Sequence, residues 1–392
     1  MCNDEMRTDR AAMTGRLAAA AVTAALLAGA CSSGSGGGAG GTTTEPSRRA
    51  ADPSPWETTA PAAVGLDAGK LARVAAQAEK GKSDCLAVVR HGRLAGEWNF
   101  GGDRDTRRPV WSVTKSFTSV LVGIAQDDGV LSLDDKAAKW IGEWKGTPAE
   151  AVTVRDLLSN DSGREWTFKT DYQELLAAQD RTKFAIGLRQ QHEPGTVWAY
   201  NNSAIQTLQR VLREATGKDV SQYAEERIFV PLGMEDTTMS PDGAGNTQTF
   251  MGMNSTCRDL ARFGQMMLDK GTWRGRRIVS ADYVEAATGR SSTKLNAAYG
   301  YLWWLNRRGV VRGPVAATDL GGARSSAAAR GQLVPGAPRR LYWALGLGNQ
   351  LIQVDPVSKT VVVRIGATEP RPKPPTFGPA EAARVVTEAV VR

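Results

Sequence analysis

Arg108-Pro-Val-Trp-Ser112-Val-Thr-Lys115-Ser-Phe-Thr-Ser-Val-Leu-Val-Gly-Ile-Ala-Gln-Asp-Asp-Gly129 is the stretch on which the reading of this chain turns. Ser112 and Lys115 are three positions apart, and on a helix such residues share one face with Cβ atoms about 5–6 Å apart. An amine able to lose its proton then sits beside a hydroxyl at the positive end of a helix dipole, an arrangement that makes a nucleophile. Val113, Phe117, Val120, Leu121, Val122, Ile124 and Ala125 follow, too many apolar residues for a surface helix. The spacing predicts a buried helix whose first turn alone reaches solvent and which Gly129 ends.

Ser-x-x-Lys by itself says little, since a chain of this length carries about one by chance. A second copy stands at Ser291 to Lys294, followed by Leu-Asn-Ala-Ala-Tyr-Gly300 with no apolar helix behind it, and reads as a polar surface loop. The remaining evidence must come from the rest of the chain.

The 392 residues are 41% hydrophobic and 23% charged, ordinary globular material for one large domain or two modest ones. The formal charge is +8, and residues 1–31 carry equal numbers of each sign, so the remainder keeps the excess. Contact with anionic lipid or cell-wall polymers would use such a surplus, and an arginine-rich source would equally produce it. No run of basic residues and no nucleic-acid motif is present, so no nucleic-acid partner is expected.

Residues 14–31 join one basic residue, an apolar run and small residues ending in Leu-Ala-Gly-Ala-Cys31, which is a secretory signal too short to span a membrane. The ending resembles a bacterial lipoprotein signal, which implies cleavage before Cys31 and a diacylglyceryl anchor on its sulfur; plain secretion is the alternative. Residues 32–63 are Ser, Gly, Thr, Pro and Ala with almost nothing to bury and read as a flexible tether. The folded domain is expected over 64–392. Cys85 and Cys257 match no zinc spacing. Their contexts, an apolar strand and a helix start, lean towards two buried thiols, while an oxidising compartment leaves one disulfide open.

Asp67 can cap a helix to about Lys80, and Cys85 to Trp98 reads as two short strands about a His91-Gly92 turn. Helical segments dominate from 116 to 289: Thr153 caps Val154–Leu158, Tyr200-Asn-Asn202-Ser203 precedes an amphipathic helix ending at Gly217, and further helices follow at 221–229, 255–268 and 280–287. Strand periodicity returns at 299–305, 341–346, 349–354 and 360–365, and Pro379 opens a terminal helix. Strands from both ends with helices between them predict an α+β fold: an antiparallel sheet completed by the two chain ends, flanked by helices, with an inserted helical lobe at about 116–289.

Only His91 and His192 exist and no Gly-x-Ser-x-Gly is present, so a Ser-His-Asp arrangement is poorly supported. A buried lysine can replace the histidine. Ser112-Val-Thr-Lys115, Val154-Arg-Asp-Leu-Leu-Ser-Asn-Asp-Ser-Gly163, Pro194-Gly-Thr-Val-Trp-Ala-Tyr200-Asn-Asn202 and Ala344-Leu-Gly346-Leu-Gly-Asn-Gln350 occur in the order of the serine β-lactamase and penicillin-binding superfamily. The chain resembles its class C branch, which includes D-alanyl-D-alanine carboxypeptidases, esterases and 6-aminohexanoate-dimer hydrolases. That resemblance implies a β-lactamase/transpeptidase-like fold with no metal and no organic cofactor. It implies that Ser112 forms an acyl-enzyme, Lys115 eases its deprotonation, and Tyr200 is general base in acylation and acid toward the leaving group. Asn202 would orient the substrate carbonyl and hold Lys115, and the N–H groups of Ser112 and of Leu347, beside Gly346, would form the oxyanion hole.

The chain departs from that pattern at one strand. Relatives that recognise a carboxylate place Lys or His, then Ser or Thr, then Gly where this chain has Ala344-Leu345-Gly346. Losing a charge-assisted bond of about 1.5–3 kcal/mol weakens such substrates by one to two orders of magnitude. The expectation is an extracytoplasmic, lipid-anchored esterase or amidase acting on a small-molecule or peptide substrate, with Trp166, Trp198, Trp303 and Trp304 available for an apolar pocket. A D-alanyl-D-alanine carboxypeptidase or weak class C-type β-lactamase, and a non-catalytic binding lipoprotein of the same fold, are the alternatives.

Overall fold

The computed structural model describes residues 56–314, 329–368 and 376–391. Helix α1 (Ala68–Lys80) begins at Asp67, whose carboxylate accepts from Lys70 N at 2.8 Å, and buries Leu71, Val74, Ala75 and Ala78 along one face. Strands β1 (Ser83–Arg90) and β2 (Arg93–Asn99) follow, turning at His91 and Gly92, both at positive φ. Helix α2 (Val113–Asp127) then runs through the molecule with every residue from Val113 to Ala125 buried. Each large apolar side chain removed from water there contributes about 1.5–3 kcal/mol, which outweighs placing Lys115, Ser116, Thr118 and Ser119 in the same interior. Gly129, at φ 72°, follows its end as expected.

Thr153 and Asp156 form a reciprocal capping box at α3 (Val154–Ser159). Helices α4 (Asn202–Gln206) and α5 (Leu208–Thr216) together make the amphipathic segment that stops at Gly217, φ 68°. After α6 (Cys257–Leu268), the strands β3 (Trp304–Leu305), β4 (Tyr342–Gly346), β5 (Gln350–Asp355) and β6 (Thr360–Gly366) complete the sheet, and α7 (Pro379–Arg384) follows. The sheet order is β2-β1-β6-β5-β4-β3, with every neighbouring pair antiparallel. Its centre therefore joins the N-terminal strand to the C-terminal one, with Val88 opposite Val362. Leu86, Val88, Leu351 and Val362 face α1 and the C-terminal helical segment, while Ala87, Val89, Ile352 and Val363 face the larger core that contains α2 and α6. The α+β architecture and the sheet built from both chain ends are as the sequence predicts.

Four details differ from expectation. Residues 56–63 belong to the folded unit: Trp56 is 7% exposed, stands edge-on to Trp273 and donates from Nε1 to Gly92 O, while Leu94 N and Thr59 N bond across to this segment and back. Trp56 and these main-chain bonds dock the run on the open edge of β2. Helix α6, within the span expected for the helical lobe, instead covers the sheet so closely that a Cβ on Gly264 would lie 2.6 Å from Val361 Cγ1 and 2.9 Å from Ile352 Cγ2. The strand expected at 299–305 is reduced to Trp304–Leu305, because Gly300 N bonds Trp303 O and Leu302 takes a positive φ in the turn. Cys85 and Cys257 form a disulfide rather than two thiols. They are 172 residues apart in sequence and meet only because α6 packs over β1, so no local pattern reveals the pairing. The signal segment 1–31, with Cys31, and most of the tether lie outside the described residues.

Candidate active site

The site begins with an unusual backbone. Trp111 has φ 51°, a left-handed conformation costly for a bulky residue, and Ser112 follows it as the N-cap of α2. Ser112 is partly exposed, whereas the next thirteen residues are buried, so the helix presents its first hydroxyl to solvent and little else. Thr114 Oγ1 donates to Trp111 O at 2.6 Å and accepts from Met253 N at 3.2 Å, pinning this turn to the segment at 249–255.

Lys115 is 1% exposed, and its Nζ lies 2.8 Å from Ser112 Oγ and 2.8 Å from Phe250 O, to which it donates. Burial pushes its amine down to about 7, with Asp171 opposing the shift. A neutral amine keeps one lone pair for the Ser112 proton, so the pair is poised for deprotonation near neutral pH. Lys115 Nζ is also 4.8 Å from the centroid of the Tyr200 ring.

Tyr200 is 6% exposed and its side chain hydrogen-bonds that of Ser112. Burial raises its phenol above the ordinary range, Asp171 adds to that, and the bond to Ser112 opposes it. The low-dielectric site thus favours neutral Lys115 and neutral Tyr200 over an ammonium–phenolate pair. Lys115 is the better base, and Tyr200 is better suited to giving a proton than to taking one. Its ring stacks on Trp304 with centroids 5.6 Å apart, and Tyr299 stands edge-on to both. Trp198 closes the cluster at 5.4 Å from Tyr299, and Trp166 Nε1 donates to Tyr200 O at 3.0 Å. Trp166, Trp198 and Trp304 therefore gather round Tyr200. Trp303 does not: it is fully buried between Phe263 and Tyr342 and belongs to the core.

Asn202 occupies a different position in the network from the one expected. Its Nδ2 donates to Asp171 Oδ2 at 2.9 Å, and the second bond of Lys115 goes to the Phe250 carbonyl instead. The cap of α4 is its neighbour Asn201, which accepts from Ala204 N at 2.8 Å. Gly346 lies against the main chain at the start of α2: a Cβ there would be 2.2 Å from Val110 O and 3.3 Å from Ser112 N. Leu347 follows Gly346 and begins the turn between β4 and β5, with its side chain exposed. Ala344, at the position where a cation would bind a carboxylate, is fully buried.

His91 is exposed in its turn, and His192 is exposed with its main-chain N bonded to Gly163 O. The second Ser-x-x-Lys lies apart in a loop where Ser291 Oγ donates to Ala297 O and Lys294 is exposed. Among the described residues no cluster of His, Cys, Asp and Glu is arranged to hold a metal. Sequence reasoning missed Asp171 and the Phe250 carbonyl. Asp171 sits in a short π-type turn, Thr170–Glu174, with no periodic signal, and a main-chain carbonyl has no side-chain signature.

Residues 71–386 match the family model described as Beta-lactamase. Penicillin-binding protein 4* of Bacillus subtilis (strain 168) is 29% identical over 133 residues, 32% of this chain and 29% of that protein. The D-aminopeptidase of Brucella anthropi is 29% identical over 189 residues, 44% of this chain and 35% of its own. The matched stretches thus span about a third of the length of these relatives. Among solved structures, a protein from Bacillus anthracis provisionally named a 6-aminohexanoate-dimer hydrolase aligns over 78% of this chain and 77% of its own, with TM-score 0.61 and 24% identity.

Proposed function

This chain belongs to the β-lactamase family, and from that premise we propose that it is a serine hydrolase cleaving an ester or amide through an acyl-enzyme on Ser112. The observation that carries the reading is Lys115 Nζ at 2.8 Å from Ser112 Oγ, in surroundings that push the amine down to about 7. Lys115 takes the Ser112 proton as Oγ attacks the substrate carbonyl carbon, and the oxyanion forms against the N–H groups of Ser112 and Leu347. Collapse expels the alcohol or amine, which receives the Tyr200 proton, and the Lys115 ammonium returns a proton to Tyr200. Water then attacks the acyl carbon, giving its proton through the same pair, and Ser112 leaves with a proton restored.

The aromatic group around Tyr200 and the apolar Ala344-Leu345 pair favour an uncharged acyl group over one bearing a carboxylate. A short p-nitrophenyl ester, nitrocefin and a D-alanyl-D-alanine peptide, compared on one preparation, test this together with fluorophosphonate labelling and peptide mass spectrometry. The ester should be turned over at least tenfold faster in kcat/KM, and Ser112 should carry the label. Preference for nitrocefin or the peptide would overturn the substrate assignment, and label elsewhere would overturn the nucleophile.

Residues 14–31 and the Gly/Ser tether further support an extracytoplasmic protein held to the membrane through lipidated Cys31. A disulfide between Cys85 and Cys257 accords with an oxidising compartment. Cys31→Ser should move the protein from the membrane fraction to the medium; unchanged fractionation would exclude the anchor.

A further inference from the structure

Asp171 is 1% exposed and receives four hydrogen bonds, all from the start of α4. Asn202 N and Nδ2 donate to Oδ2 at 3.0 and 2.9 Å, and Ser203 N and Oγ reach Oδ1 at 2.7 and 2.9 Å. Three of the four are N–H groups, which can only donate, so these contacts favour the carboxylate and oppose the burial that pushes the group upward. A buried carboxylate costs several kcal/mol unless bonded in this way and balanced by a nearby cation. Lys115 acts electrostatically on Asp171 and is acted on by it, and it balances the carboxylate once it carries the serine proton.

We propose that Asp171 is a positioning residue of the acyl-transfer site: its carboxylate clamps the turn that carries Tyr200 and supplies a buried negative charge that acts on the Lys115 amine. This rests on the Ser112–Lys115–Tyr200 reading given above. Asp171 touches neither Ser112 nor solvent, so it acts through its neighbours. Its four bonds hold residues 202 and 203, two and three positions beyond Tyr200, and thereby fix where the phenol points. Around Lys115 stand Ser112, Tyr200, the Phe250 carbonyl and ring, and the charge of Asp171. Around Tyr200 stand Ser112, Lys115, Tyr299, Trp304 and the same charge. One anion is thus shared by both proton-transfer groups: it favours the ammonium of Lys115 and disfavours the phenolate of Tyr200. As Lys115 takes the serine proton, its new positive charge is met by a carboxylate already in place.

Profiles of kcat/KM against pH for a p-nitrophenyl ester, measured on the wild type, Asp171→Asn and Ser203→Ala, test the proposal. Asp171→Asn removes the anion that favours the ammonium. Its acid limb should move to lower pH by about one unit, with at least a tenfold loss on the plateau falling on kcat rather than KM. Ser203→Ala removes one donor and keeps the charge, and should lose about two- to fivefold with the limb unmoved. An Asp171→Asn limb that coincides with the wild type would overturn the proposal. Should that variant not fold, a Ser203→Ala enzyme with wild-type kcat and KM would overturn it instead. Fluorophosphonate labelling of the wild type separates the two levels: an unlabelled Ser112 refutes the serine mechanism, whereas a labelled Ser112 with an unmoved Asp171→Asn limb refutes only the role of Asp171.

Discussion

Lys115 Nζ stands 2.8 Å from Ser112 Oγ while the lysine side chain is 1% exposed. Charge on that amine is disfavoured because the side chain is buried, and the hydroxyl it faces belongs to the last residue before thirteen buried ones. Proton acceptance near neutrality follows from burial, and access for a substrate follows from the helix terminus.

That relationship sets a pH dependence. Lys115 must be neutral to accept the serine proton, and burial brings it to about 7. Activity is therefore absent well below that value, rises about tenfold per pH unit toward it and is flat above it. Tyr200 is pushed upward and stays protonated over the same range. A steady-state profile of kcat/KM should show one ascending limb near pH 7, and Lys115→Ala should lower the plateau by about 10²–10⁴.

Tyr200→Phe removes the hydroxyl and keeps the ring stacked on Trp304. Thermal stability should change little. The loss in kcat should depend on the leaving group: small for p-nitrophenolate, which leaves without a proton, and about 10²–10⁴ for an anilide, whose nitrogen needs one. Equal losses for both substrates would contradict proton donation by Tyr200.

Gly346→Ala places a Cβ 2.2 Å from Val110 O and 3.3 Å from Ser112 N. The neighbour at 2.2 Å is main chain, so the strand edge must move away from the helix start and the oxyanion donors separate. A fall in kcat of about 10²–10³ is expected, with KM much less affected, measured on the same ester.

The Cys85–Cys257 bond ties β1 to α6 across 172 residues of chain. Closing so long a loop should contribute roughly 3–5 kcal/mol. Cys85→Ser with Cys257→Ser, or reduction, should lower the urea midpoint accordingly, and non-reducing peptide mapping should find the two peptides joined in the wild type.

Local pattern made much of the fold legible. The apolar run after Ser112, the capping residues Asp67 and Thr153, and the alternating strands near the C-terminus each express a periodicity or a cap whose physics is confined to a few neighbours. Elements of two or three residues, such as Trp304–Leu305, left no such trace, and neither did the docking of Trp56 on β2.

Sequence by itself determined that Ser112 and Lys115 meet and which helix carries them, because residues three apart on a helix meet whatever the rest of the chain does. Motif order pointed to Tyr200 and Gly346, and tertiary structure supplied their meaning. It brought Phe250 O to Lys115, set Asp171 beneath the Tyr200 turn, moved Asn202 from the lysine to that carboxylate, and joined Cys85 to Cys257. These partners are separated in sequence by 31 to 172 residues. Their encounter depends on how helices pack over the sheet, and so does the burial that lowers the proton affinity of Lys115.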